Sequence, residues 1–209
     1  MATSTFTGHA DKVIAVTLTP DGPCSISASF DGTLKEWNIK QAQELYELRD
    51  HNERVTAIVT LAERRWAISA SEDATLKIWN LQSTKEQFTL QDHFAAINAL
   101  AVTLDERCVI SASDYRTLKV WDLHNKREMF TLQGHSREVM ALTATPDGRL
   151  VISAFSDGTL RVWDLETGEA IASFSGDGSL GACTVYSDMS TIIAGGALDR
   201  IYFLHVEEI

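Results

Sequence analysis

The octapeptide "DGTLKEWN" at 31–38 returns as "DATLKIWN" at 73, as "YRTLKVWD" at 115 and as "DGTLRVWD" at 157, a constant spacing of 42 residues. A catalytic centre needs its residues once, whereas a structural unit that cannot bury its apolar face alone must be copied and packed on its copies. The period therefore constrains architecture before chemistry. Aligned at 42, the other positions fall into columns. His9, His51, His93 and His135 share one, with Asp177 in the fifth row. Trp37, Trp79, Trp121 and Trp163 share another, with His205 fifth. Ser27, Ser69, Ser111 and Ser153 make a third, broken by Gly195, and Asp31, Asp73, Asp157 and Asp199 a fourth, broken by Tyr115. Five units emerge in one domain spanning 1–209, with boundaries near 8, 50, 92, 134 and 176, and the fifth is degenerate.

Each unit divides into four short strands. Runs such as "VIAVTLT", "SISAS", "TLKEWNI" and "ELYELR" are rich in β-branched and aromatic residues and are bounded by the turn signals "TPDG", "FDG" and "IKQAQ". No segment holds a helical period. Several strands are apolar on both faces, as in "VISAS" and "LKVWDL", which suits a sheet covered by neighbours on either side. A four-stranded sheet repeated radially is a propeller blade.

Composition narrows the function classes. Hydrophobic residues make up 44% of the 209, ample for a core. No run of 18 apolar residues suggests a membrane span, and "MATSTFTGH" lacks the basic and apolar regions of a signal peptide, so a soluble cytoplasmic protein with no membrane partner is expected. Three cysteines, an odd number, fit reduced thiols, with Cys24 and Cys108 in one column on strands expected to be buried. A net charge of −11 repels phosphate backbones, which argues against nucleic acid as a partner.

"GH" followed after roughly two dozen residues by "SxDGTLKVWD", in units of this length, resembles the signature of WD-repeat (WD40) β-propellers, and most of all the regular tandem propellers of bacteria. The resemblance implies an all-β β-propeller of five four-stranded antiparallel blades. It implies a hydrogen-bonded tetrad in each regular unit: His9, Ser27, Asp31 and Trp37; His51, Ser69, Asp73 and Trp79; His135, Ser153, Asp157 and Trp163. In the third unit Tyr115 replaces the aspartate and Asp114 is displaced by one position. The fifth, keeping Asp199 alone, is expected to rely on packing by Ile192, Ile193, Ile201 and Phe203. Glu36 stands where other units have Ile78, Val120 and Val162. "STFTG" before His9 resembles the last strands "EQFTLQD" and "REMFTLQG", so residues 3–7 are expected to pair beside 201–207 and close the fifth blade. The chain is then a monomer, or a strand-swapped homo-oligomer.

Serine, histidine and aspartate in one unit invite a hydrolase reading, but the set recurs and a tryptophan donor competes for the same network. "GDGSLG" at 176–181 has the letters of a dinucleotide fingerprint, yet strands flank it where a helix is needed. The histidines have no second ligand at metal spacing, so neither metal nor cofactor is expected. Arg54, Arg64 and Arg65 form a small basic island that reads as solvated loop, with phosphopeptide recognition as the sharper alternative. The expectation is a non-enzymatic scaffold that binds a protein or peptide. Its alternatives are a sensor or regulatory propeller of a larger bacterial signalling ATPase or kinase, and a hydrolase or lyase at the central channel. The positions that the resemblance gives to the partner-binding top face include Lys12, Ile14, Phe30, Arg54, Glu72, Met140, Leu180 and Leu198, with Ile14, Phe30, Leu180 and Leu198 as one apolar patch.

Overall fold

The computed structural model describes residues 5–19, 22–91, 93–134, 136–186, 190–197 and 199–205. The chain divides into two compact units, Met1–Ile97 and Asn98–Ile209. Each is built of antiparallel sheets whose strands follow chain order. Sheet 1 holds β1 (Val13–Leu18), β2 (Cys24–Ser29), β3 (Thr33–Asn38) and β4 (Gln43–Arg49), and sheet 2 holds β5 (Val55–Leu61), β6 (Trp66–Ser71), β7 (Thr75–Asn80) and β8 (Lys85–Gln91). Sheet 3 comprises β9 (Ile97–Val102), β10 (Cys108–Ser113), β11 (Thr117–Asp122) and β12 (Arg127–Gln133). Sheet 4 comprises β13 (Val139–Ala144), β14 (Leu150–Phe155), β15 (Thr159–Asp164) and β16 (Ala170–Ser175). Sheet 5 has three strands among the described residues: β17 (Leu180–Val185), β18 (Thr191–Gly196) and β19 (Arg200–His205).

Alternation along the strands sends successive side chains to opposite faces of each sheet, and within each unit the sheets pack face to face. In the first unit the back face of sheet 1, carrying Ile26, Ala28, Leu34 and Leu48, packs on the front face of sheet 2, carrying Val55, Ile58, Ala67 and Trp79. The second unit repeats the arrangement. Ile110, Ala112, Leu118 and Leu132 of sheet 3 meet Val139, Val151 and Trp163 of sheet 4, whose own back face meets Leu180, Ile192 and Ala194 of sheet 5. The tryptophan of the repeated octapeptide therefore belongs to a front face, and the leucine three residues before it to a back face.

The fifth sheet is registered one residue short of the period. Leu180 pairs with Gly196 as Val139 pairs with Phe155 in sheet 4, which sets the units 41 residues apart here. The turn between the second and third strands confirms it. Gly32, Ala74, Arg116 and Gly158 all have positive φ, and the residue that continues the series is Asp199, with φ of 56°. Asp199 is thus the left-handed turn residue rather than the tetrad aspartate, and the column assignments of Asp177, Gly195 and His205 shift with it. Leu204 takes the tryptophan position and Tyr202 the position of Lys35, Lys77, Lys119 and Arg161. Ile201 and Phe203 accordingly lie on the back face of sheet 5 and are 66% and 65% exposed, so of the four residues expected to pack this sheet they do not, while Ile192 is buried.

The expected N-terminal strand is not seen among the described residues. Residues 5–8 lie in no strand, and Phe6 instead packs edge-on to Trp37 with ring centroids 5.5 Å apart. The three cysteines are free thiols, each half-buried rather than buried. No helix among the described residues is long and apolar enough to cross a membrane.

Candidate functional site

In sheets 1 and 2 the four column residues form a continuous hydrogen-bond chain. The Trp37 indole N–H donates to Ser27 Oγ at 2.7 Å, Ser27 Oγ lies 2.6 Å from His9 Nε2, and His9 Nδ1 lies 2.9 Å from Asp31 Oδ2. The second set repeats these distances within 0.1 Å: Trp79 to Ser69 2.8 Å, Ser69 to His51 2.7 Å, His51 to Asp73 2.9 Å. With a neutral imidazole one assignment of protons serves every link: the serine hydroxyl donates to Nε2, and the histidine carries its proton on Nδ1 and donates it to the carboxylate. The aspartate also accepts the backbone N–H of the residue after histidine, Ala10 or Asn52, and so ties the loop entering the first strand to the turn before the third.

Threonine extends the network, a member the sequence columns hid in plain view. Thr33 and Thr75 donate both backbone N–H and hydroxyl to the aspartate two residues before them, with hydroxyl distances of 2.6 Å. Burial alone would raise the Asp31 carboxyl; hydrogen bonds from Thr33, Ala10 and His9 outweigh it and hold it well below the usual carboxylate range. Asp73 is held down in the same way, with His51 and Thr75 opposing burial.

Sheet 4 keeps most of this arrangement. Asp157 accepts from Thr159 and from the Ser136 hydroxyl at 2.7 Å, Trp163 donates to Ser153 at 2.7 Å, and His135 lies outside the described residues. In sheet 3 the Trp121 to Ser111 bond of 2.8 Å persists, while Asp114 is turned to the surface, where it accepts from the Asn98 amide. Tyr115 is exposed. Sheet 5 solves the same problem differently. Glycine at 176 takes the histidine position, and the Tyr202 ring lies 3.2 Å from where a Cβ would stand. The Tyr202 hydroxyl accepts the Asp177 backbone N–H at 3.2 Å, the counterpart of the N–H that Asp31 and Asp73 receive in their sheets.

A second network went unread in the octapeptide. Its lysine is buried on the front face beside the tryptophan: Lys35 donates to Glu44 at 2.9 Å and Glu47 at 2.6 Å, Lys77 to Glu86 at 2.8 Å, and Lys119 to Glu128. The signal was present as a glutamate nine residues after each lysine. A strand pairing that brings Trp37 opposite Glu44, across a bulge at the tryptophan, places them together.

The geometry of Ser27, His9 and Asp31 matches a hydrolytic triad in distance, but not in access. Trp37 donates to the hydroxyl that would attack, and the same set is repeated in sheet 2 around Ser69, which has no exposed surface. Among the described residues no group of three histidine, cysteine or acidic side chains could hold a metal ion.

The exposed candidates gather at the sheet ends where the first strand begins and the second turns into the third. In the first unit Phe30 lies between two cations, with Lys12 Nζ 5.7 Å and Arg54 Cζ 4.8 Å from its ring centroid. Arg54 reaches Glu72 at 3.8 Å, and Ile14 is 39% exposed beside them. The backbone fixes this grouping, because Phe30 N–H bonds Lys12 C=O and Glu72 N–H bonds Arg54 C=O. In the second unit Met140 is exposed. Leu180 is not: it has no accessible surface and belongs to the core between sheets 4 and 5. The one-residue offset is the reason, since it moves the corresponding exposed positions to Ser179, Gly181 and Ala197. Leu198 lies outside the described residues. The four-member apolar patch expected from Ile14, Phe30, Leu180 and Leu198 therefore loses Leu180.

Comparison with known families gives four tandem matches to the family described as WD domain, G-beta repeat, over residues 2–38, 42–80, 84–122 and 126–164. The fifth unit lies beyond the last of them. No curated protein matches the chain significantly.

Proposed function

The chain belongs to the WD40 family, and on that premise we propose that it is a non-enzymatic cytoplasmic scaffold, one repeat domain over 1–209, that holds a protein or peptide partner. The observation that carries the reading is the Phe30 ring held between Lys12 and Arg54. A flat apolar side chain inside a charged rim is how interaction hot spots are commonly built. In a chain of net charge −11 this cationic pair favours a partner segment that places an acidic residue next to an apolar one. Ile14 and Glu72 complete the recognition surface, and Met140 serves the second unit. A regulatory propeller of a larger bacterial signalling protein would use the same surface. We also propose that residues 3–7 supply the strand that completes sheet 5, supported by their likeness to β8 and β12 and by the three strands which that sheet has among the described residues.

The test is selection of a displayed random-peptide library on the immobilised protein. Binders enriched in Asp or Glu beside an apolar residue are expected, and Phe30→Ala should weaken them at least tenfold while the thermal midpoint holds. Peptides that bind Phe30→Ala as tightly as wild type would move the site away from this cluster.

A further inference from the structure

The column of basic residues beside the tryptophans has one member that its own sheet leaves unanswered. In the first three sheets the residue paired opposite tryptophan is a glutamate, Glu44, Glu86 or Glu128, and each accepts from the buried lysine of its sheet. Sheet 4 keeps the pairing, but Ala170 stands opposite Trp163. Sheet 2 brings its lysine a second acid from the end of the preceding sheet, with Asp50 Oδ2 3.6 Å from Lys77 Nζ. Two periods on, that place belongs to Gly134, where a Cβ would stand 2.5 Å from Arg161 Nη1. The guanidinium thus lies where a side chain from that position would begin. Arg161 Nε is buried with no hydrogen-bond partner, and the guanidinium pairs with no acid among the described residues.

The neighbouring ring does not stand in for the missing acid. Arg161 Cζ lies 5.9 Å from the Trp163 ring centroid, but Lys119 Nζ lies the same 5.9 Å from that of Trp121 and still has Glu128. A half-buried cation without a counter-charge is costly, and three related sheets meet that cost with an acid of their own. The one sheet that lacks the acid is also the one in which lysine is replaced by arginine, whose planar fork takes a carboxylate through two parallel N–H bonds. We propose that Arg161 anchors a carboxylate-binding site at the margin of sheet 4, where an acid from outside the chain takes the place that Glu44, Glu86 and Glu128 hold in their sheets. Ala170, Ser173 and Gly134 border the guanidinium and are all exposed, so a carboxylate reaches it from solvent. The inference does not rest on the Phe30 cluster.

The test is an NMR titration of isotope-labelled protein with sodium acetate, against sodium chloride at equal ionic strength. It reads the Arg161 Nε–H resonance, identified as the one missing from Arg161→Gln. Acetate at tens of millimolar should shift that resonance saturably and raise the thermal midpoint of wild type but not of Arg161→Gln, and chloride should do neither. Ala170→Glu supplies the acid internally: its resonance should start at the acetate-bound position and stay there, and its midpoint should exceed that of wild type before any acetate is added. Capped glutamate (N-acetylglutamate amide) and succinate separate the sources of the acid. At least tenfold tighter binding of the capped glutamate assigns the site to an acidic side chain of a protein partner, and the reverse order to a free small acid. The proposal fails if acetate does no more than chloride, or if Ala170→Glu responds to acetate as wild type does.

Discussion

A single carboxylate decides whether a loop is held or free in these sheets. Asp31 receives hydrogen bonds from Ala10, Thr33 and His9, and its removal strands a histidine, a threonine and a backbone N–H in a half-buried site. Asp31→Ala should therefore cost on the order of 1–3 kcal/mol. Asp114, one position away from the equivalent place in sheet 3, is exposed and bonds the half-buried Asn98 amide, and Asp114→Ala should stay within about 0.5 kcal/mol. Urea denaturation of both variants checks the contrast, and equal midpoints would deny the stapling role. The histidine, serine, aspartate and tryptophan were legible because each is chemically unusual at a recurring strand position. The lysine beside tryptophan was not, since an alternating strand gives no hint which of its polar residues is buried; that depends on a glutamate from the next strand and on the bulge that aligns the two. Glu36 shows the opposite case. It is plainly odd in a column of Ile78, Val120 and Val162, and burial raises its carboxyl, with a Cys24 hydrogen bond opposing.

At the scale of the element, four sheets follow a strict period and the fifth departs by one residue, which reverses the face of every side chain in its strands. Fixed spacing misassigned Asp199, Leu180 and His205 for that reason alone. The offset was hidden because Asp199 happens to be an aspartate in a turn where the period calls for one, so the wrong register looked better than the right one. Backbone conformation removes the coincidence, since positive φ marks the turn residue whatever its side chain. Neighbouring residues in β19 now have opposite expected weights. Tyr202 packs on Phe174 with centroids 5.1 Å apart and accepts the Asp177 N–H, so Tyr202→Ala should cost about 2–4 kcal/mol. Phe203→Ala should cost less than about 0.5 kcal/mol. Both are compared by thermal unfolding. A strict period of 42 makes the opposite forecast.

Across the whole molecule the stapling carboxylates predict how stability changes with acidity. Asp31, Asp73 and Asp157 are all held below their ordinary range, Asp157 to about 2, where burial is opposed by Thr159 and Ser136. A carboxyl depressed in the folded state releases its proton more readily there than in the unfolded chain, whose aspartates titrate near about 3.9. Its contribution is complete above that value and disappears as pH falls through the folded one. Glu36 runs the other way, gaining stability as it protonates. The net charge of −11 adds self-repulsion near neutrality that acidification relieves. Between pH 7 and 5 relief of the repulsion comes first, so the urea midpoint should hold or rise slightly. Below about pH 4 the three aspartates outweigh one glutamate, and the midpoint should fall steeply toward pH 2. Asp157→Asn keeps an oxygen to accept from Thr159 but cannot titrate, so it should be less stable than wild type at pH 7 and lose less on acidification. Urea titrations at pH 7, 5, 4, 3 and 2 separate these cases. A wild-type midpoint that keeps rising to pH 3, or an Asp157→Asn curve parallel to wild type throughout, would mean that the networks hold the loops by shape rather than by charge.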